Sequence, residues 1–103
     1  MRRVIGRKIY DTATADKIAS YSNGLGYGNL NFFNESLYRS AEGSWFLAGE
    51  GGANTGYRSY HGNKIFGGEG LSALTPKEAR EWLESYGETN ALELCFGAEL
   101  EEA

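Results

Sequence analysis

The sequence predicts an α+β domain: a small antiparallel or mixed sheet, arranged as hairpin, helix, hairpin and further strands, with one to three helices packed on it. Three observations carry this. Short β-branched and aromatic runs are separated by glycine-bearing turns, one strongly capped amphipathic helix stands near the C-terminus, and 103 residues suffice for one core but not two. The reading is a single domain over 1–103, with 98–103 as a frayed tail. A content of 41% hydrophobic and 14% aromatic residues supplies that core without disulfide or metal.

Arg3-Val-Ile-Gly-Arg-Lys-Ile-Tyr10 sets two short β-branched runs about Gly6 and Arg7, a tight hairpin. A helix is expected next, capped by Thr12 or Thr14, because Ala15, Ile18, Ala19 and Ser22 fall at i, i+3, i+4 and i+7 and Asn23-Gly24 ends the run. Residues 24–31 read as an irregular loop. Phe32–Arg39 and Ser44–Ala48 form a second hairpin around Ser40-Ala-Glu-Gly43. In its second arm Trp45 and Leu47 share one face and Phe46 and Ala48 the other, so both faces are expected to be covered. Strands are expected at Lys64–Phe66 and Leu71–Leu74. Thr75-Pro-Lys-Glu78 is a capping box with proline at the first helical position. Ala79, Trp82, Leu83 and Tyr86 then make an apolar stripe, with Glu81, Glu84 and Arg80 off it, and Gly87 stops the helix. Thr89 is expected to cap a last short helix carrying Leu92, Cys95 and Phe96.

Composition excludes several classes. No run approaches the roughly 18–20 apolar residues of a membrane span, and the basic N-terminus has no apolar run behind it, so neither a span nor a secretory signal is expected. The lone Cys95 closes no disulfide within the chain, which fits a reducing bacterial cytoplasm. Charge is unevenly spread: residues 1–17 carry five basic against two acidic groups, and residues 65–103 carry nine glutamates against Lys77 and Arg80. An acidic end repels nucleic acid but suits a basic groove that normally holds it.

Catalytic signatures are missing. His61 is the single histidine, so zinc ligation lacks its ligands, and no Gly-x-Ser-x-Gly elbow accompanies Ser59. Gly24-Leu-Gly-Tyr-Gly28 is not a phosphate loop. Glu50 and Glu69 each sit between glycines, and as facing carboxylates they suit general acid and base work; the plainer alternative leaves them as capping or solvated groups. No catalytic residue, metal or cofactor is expected.

Two loops stand out. Residues 20–31 and 54–63 consist almost wholly of Tyr, Ser, Gly and Asn with Arg58 and His61, the vocabulary of protein-binding loops, where tyrosine brings rigid contact area at low entropy cost. Alternatively Tyr27, Tyr57 and Tyr60 fold back onto the sheet. The partner-binding candidates are therefore Tyr57, Arg58, Tyr60 and His61, together with Glu50. A second candidate surface is the acidic helix face of Glu78, Glu81, Glu84 and Glu88, which would displace phosphates from a basic channel. Direct nucleic-acid binding ranks lower, since the basic residues Arg2, Arg3, Arg7 and Lys8 do not cluster with the aromatic loops.

Tyr10-Asp-Thr-Ala-Thr-Ala15, Glu35-Ser-Leu-Tyr-Arg39, Trp45-Phe-Leu-Ala-Gly-Glu-Gly-Gly52 and Leu74-Thr-Pro-Lys-Glu-Ala-Arg-Glu-Trp-Leu83 resemble segments of small proteins carried by phages and other mobile elements of gut bacteria. In length and character the chain is similar to type II-A anti-CRISPR proteins, over about residues 4–86. The most specific piece is Trp45 to Gly52 followed by a tyrosine-bearing loop. The resemblance implies non-enzymatic inhibition of an RNA-guided DNA nuclease of the type II CRISPR system in the host cytoplasm. The alternative is a small nucleic-acid-binding regulator of a phage or mobile element.

Overall fold

In a computed structural model describing residues 1–103, the chain is α+β, with eight strands in small antiparallel sheets followed by two helices. Strands β1 (Arg2–Ile5) and β2 (Lys8–Asp11) form the expected first hairpin. Gly6 and Arg7 at its tip have φ of 56° and 68°, the paired left-handed conformation that a two-residue hairpin turn demands.

The expected helix over 12–22 is a strand instead: β3 (Asp16–Ser22) pairs antiparallel with β4 (Phe33–Arg39). The cause is a bulge. Register shifts between Lys17 and Ala19, so Ile18 and Ala19 both reach the helix-side core, and Tyr21 follows two residues on. One extra residue in a period-two strand thus imitates helical spacing. Thr12 and Thr14 cap nothing: Ala13 N–H bonds the Asp11 carboxylate, and the Thr14 hydroxyl donates to the Asp11 carbonyl, making a turn.

Strand β5 (Trp45–Gly51) pairs with β4 as the second hairpin, and β8 (Gly68–Leu74) closes the main sheet in the order β3-β4-β5-β8. Between them β6 (Ser59–His61) and β7 (Lys64–Phe66) form a separate two-stranded arm. Helix α1 (Pro76–Ser85) has the expected capping box, with Thr75 Oγ1 accepting from Glu78 N–H and the Glu78 carboxylate from Thr75 N–H. Helix α2 (Thr89–Phe96) starts one residue earlier than expected: Glu88 occupies the cap position, Thr89 is already helical, and no side chain caps the end. Gly97–Glu99 adds a 3₁₀ turn where fraying was expected to begin, and residues 100–103 have no regular structure.

Both faces of the sheet are covered at one end, as the alternation along β5 requires. On one face Ala79, Trp82 and Leu83 of α1 and Phe96 of α2 pack on Leu37 and Trp45. On the other, Tyr10 of the first hairpin meets Phe46 edge-on at 5.3 Å and Tyr38 stacks on Phe46 at 5.2 Å. Arg3 binds the hairpin to the sheet edge through the Leu71 carbonyl at 3.2 Å. The radius of gyration is 15.0 Å. A compact chain of this length has about 13 Å, and the excess matches a flat, elongated shape with principal extents of 49 × 34 × 19 Å. No helix is long and apolar enough to cross a membrane.

Candidate functional site

At the other end of the sheet, β5 and β8 place Glu50 directly opposite Glu69, within the triplets Gly49–Gly51 and Gly68–Gly70. Period-two alternation sets the two carboxylates on the Phe46 face and the glycines on the helix-side face. The glycines are needed because the 53–58 loop crosses that face closely. A methyl on Gly49 would strike the Tyr57 ring, one on Gly51 the Thr55 side chain, and one on Gly68 the Tyr57 carbonyl. The Gly-Glu-Gly pattern is therefore one surface filled by a loop and one left open with two acids on it.

Tyr57 belongs to the filled side. Its hydroxyl donates to Glu35 Oε2 at 2.6 Å, and Trp82 Nε1 donates to Glu35 Oε1 at 3.0 Å. One half-buried carboxylate thereby ties loop, sheet and helix together. Burial, then the Glu35 hydrogen bond and charge, push the Tyr57 phenol well above its ordinary value. An unfolded tyrosine loses its proton near pH 10, so above about that pH the native state holds more protons than the unfolded state. The stability this group contributes is complete below about pH 10 and is lost as pH rises toward the native pKa. Tyr57→Phe is expected to flatten the decline of melting temperature between about pH 9 and 11; a profile parallel to the parent's would show that Tyr57 is not held neutral.

The open side is a groove of about 420 Å³. Glu50 and Glu69 lie in it, Tyr27, Leu30 and Phe32 supply apolar lining from one loop, and Ile65 and Phe66 supply it from the arm. Tyr27 stays 78% exposed while its hydroxyl donates to Glu50 Oε1 at 2.9 Å. That hydrogen bond and the Glu50 charge raise the Tyr27 pKa. Asn34 Nδ2 donates to the same oxygen at 3.4 Å, so Glu50 is oriented from two sides. Such a floor can hold a cation, or supply two acids for proton transfer to a bound molecule.

The sequence-predicted residues divide accordingly. Glu50 is in the groove. Tyr60 is 64% exposed on the neighbouring arm, its hydroxyl accepting from Arg58 Nε at 2.8 Å. His61 lies edge-on to Phe66 at 5.2 Å. Tyr57 folds back as a structural residue, whereas Tyr27 and Tyr60 remain exposed. Of the acidic helix, Glu78 is held by its own cap, and the Thr75 N–H bonding it keeps its carboxyl below the usual range. Glu84 pairs with Arg80 at 3.1 Å. Of the four helix candidates, Glu81 and Glu88 are left without a bond of this kind, and Glu88 stands at the cap position of α2 rather than on α1. Glu69, read from the sequence as a possible facing partner of Glu50, and the 20–31 loop with Tyr27 and Leu30 do reach the groove, whereas Phe32, Ile65 and Phe66 are read from the sequence only as strand residues.

Neither protein-family models, nor curated proteins, nor solved structures match the chain.

Proposed function

We propose that the protein is a non-enzymatic inhibitor that binds a bacterial RNA-guided DNA nuclease, docking through the groove and the adjoining β6–β7 arm. The observation that carries this is the contiguity of Tyr27 (78% exposed), Leu30 (59%), Ile65 (52%) and Phe66 (46%) around two carboxylates. Exposed apolar groups gathered in one place mark a binding surface, whereas scattered ones are ordinary. The acidic floor suits a surface that evolved to hold phosphates, and the sequence resemblance supplies the class of target. The arm is preferred over the acidic helix because the helix's Glu78 and Glu84 are already engaged within the chain.

The test is cleavage of a DNA target by a purified type II-A nuclease, with the protein added before or after guide loading. Cleavage is expected to stop, and Ile65→Ser with Phe66→Ser is expected to restore it while leaving the melting temperature nearly unchanged, both side chains being exposed. Full cleavage in the presence of folded protein overturns the reading.

The register favours one rival. Opposed residues on a sheet face have Cβ atoms about 4.5–5.5 Å apart, which brings Glu50 and Glu69 within reach of a shared substrate in the manner of glycosidase carboxylates. Release of nitrophenol from an aryl glycoside that vanishes in Glu69→Gln would favour that enzyme over the inhibitor. The nucleic-acid regulator is less favoured: Arg2 pairs with Asp11 at 3.9 Å and Arg3 is spent on Leu71, leaving Arg7 and Lys8 of the basic hairpin.

A further inference from the structure

We infer that the groove is a receptor for an arginine side chain of the partner protein, with Glu50 and Glu69 taking the guanidinium. The inference rests on the reading of this surface as a protein-docking site, not on which protein docks.

Like charges directly opposite on one sheet face repel, and the fold nonetheless puts two glutamates there. No cation of the chain relieves them. Its ion pairs lie elsewhere, Arg2 with Asp11 and Arg80 with Glu84 and Glu99. Tyr27 and Asn34 both donate to Glu50 Oε1, which fixes that carboxylate and leaves Oε2 open, and the Glu69 carboxylate has no side-chain or backbone donor. The floor is thus a set of oriented acceptors that calls for a ligand rich in N–H donors and positive charge.

Two ligand head groups meet that description, and the lining separates them. Tyr27 and Phe66 contribute exposed aromatic rings, on which a planar guanidinium stacks, with the buried Phe32 backing Tyr27 at 4.8 Å, while Leu30 and Ile65 suit its methylene stem. Arginine also offers a fork of donors that engages carboxylates in pairs, where lysine is a compact and strongly hydrated point charge. A cavity of about 420 Å³ takes such a side chain together with a little of the backbone presenting it.

The experiment is a titration of the ¹⁵N-labelled full chain with the peptide acetyl-Gly-Arg-Gly-amide, beside its citrulline counterpart, which keeps the shape and loses the charge, and its lysine counterpart. The arginine peptide is expected to move the amide signals of Tyr27, Gly51, Gly68 and Glu69, and the citrulline peptide to leave them in place. Glu69→Gln, at an exposed strand position, is expected to bind roughly tenfold more weakly, the size of one lost charge-assisted hydrogen bond, while its spectrum stays dispersed as for the parent. Equal shifts with citrulline, equal shifts with lysine, or no shifts at the groove would each overturn the arginine assignment. None of these involves the nuclease, so loss of this inference and loss of the inhibitor reading are read from separate assays.

Discussion

Trp82→Ala is expected to lower the unfolding free energy by about 3–5 kcal/mol, a large part of the roughly 5–15 kcal/mol that holds a domain of this size together. Trp82 is 9% exposed, packs in the cluster of Leu37, Trp45, Leu83 and Phe96, and meets Tyr86 edge-on at 4.8 Å. Its removal leaves a cavity between α1 and the sheet. It also takes one of the two donors from Glu35, whose other oxygen holds the Tyr57 hydroxyl. Trp82→Phe separates the two effects, keeping most of the packing and dropping the donor, and should cost about 1.5–3 kcal/mol or somewhat less in this part-buried setting. Urea unfolding followed by circular dichroism measures both. An unchanged midpoint for Trp82→Ala would mean that α1 is not docked through this side chain.

Gly52→Ala is expected to weaken groove function severely at a smaller cost in stability. A methyl there would fall against the Leu30 carbonyl group, with its carbon at 2.6 Å and the Asn29 oxygen at 2.7 Å, and backbone atoms cannot swing aside as a side-chain tip can. The strand end is stitched to that loop by Gly52 N–H to the Phe32 carbonyl at 2.8 Å and Asn54 N–H to the Leu30 carbonyl at 2.9 Å. Relieving the clash pushes the 29–32 wall outward and draws Tyr27 off Glu50. Overpacking of this kind costs about 1–3 kcal/mol. Arginine-peptide binding and nuclease inhibition should each weaken by more than about tenfold, a free-energy change above roughly 1.4 kcal/mol. Gly56→Ala, where nothing lies within 4 Å of the added methyl, is the control and should behave as the parent. Normal binding by Gly52→Ala would show that the 29–32 wall takes no part.

Elements whose cause is local are legible in the sequence. The α1 cap needs only Thr75, Pro76 and Glu78, close neighbours along the chain, and the first hairpin needs only Gly6 and Arg7 at its tip. The 16–22 segment has the spacing of a helix yet forms a strand, because a bulge depends on a partner, here β4, which no local window contains. Thr89 fails as a cap for a different reason: capping residues are common near helix starts, and a one-residue offset turns a cap into a helical position.

By itself, the sequence determined the α+β class, the two-faced packing of Trp45 and Phe46, the capped helix and the presence of two glycine-flanked glutamates. Each of these follows from residue type and spacing along one stretch of chain. Only the tertiary structure decided that Glu50 and Glu69 are cross-strand partners, that Tyr57 is spent on Glu35 while Tyr27 stays exposed, and that Ile65 and Phe66 flank the same opening. The physical reason is register. A side chain's face in a sheet reverses with a slip of one residue, and the register between β5 and β8 is set across the whole stretch from Gly51 to Gly68 by the loop that the glycines let pass.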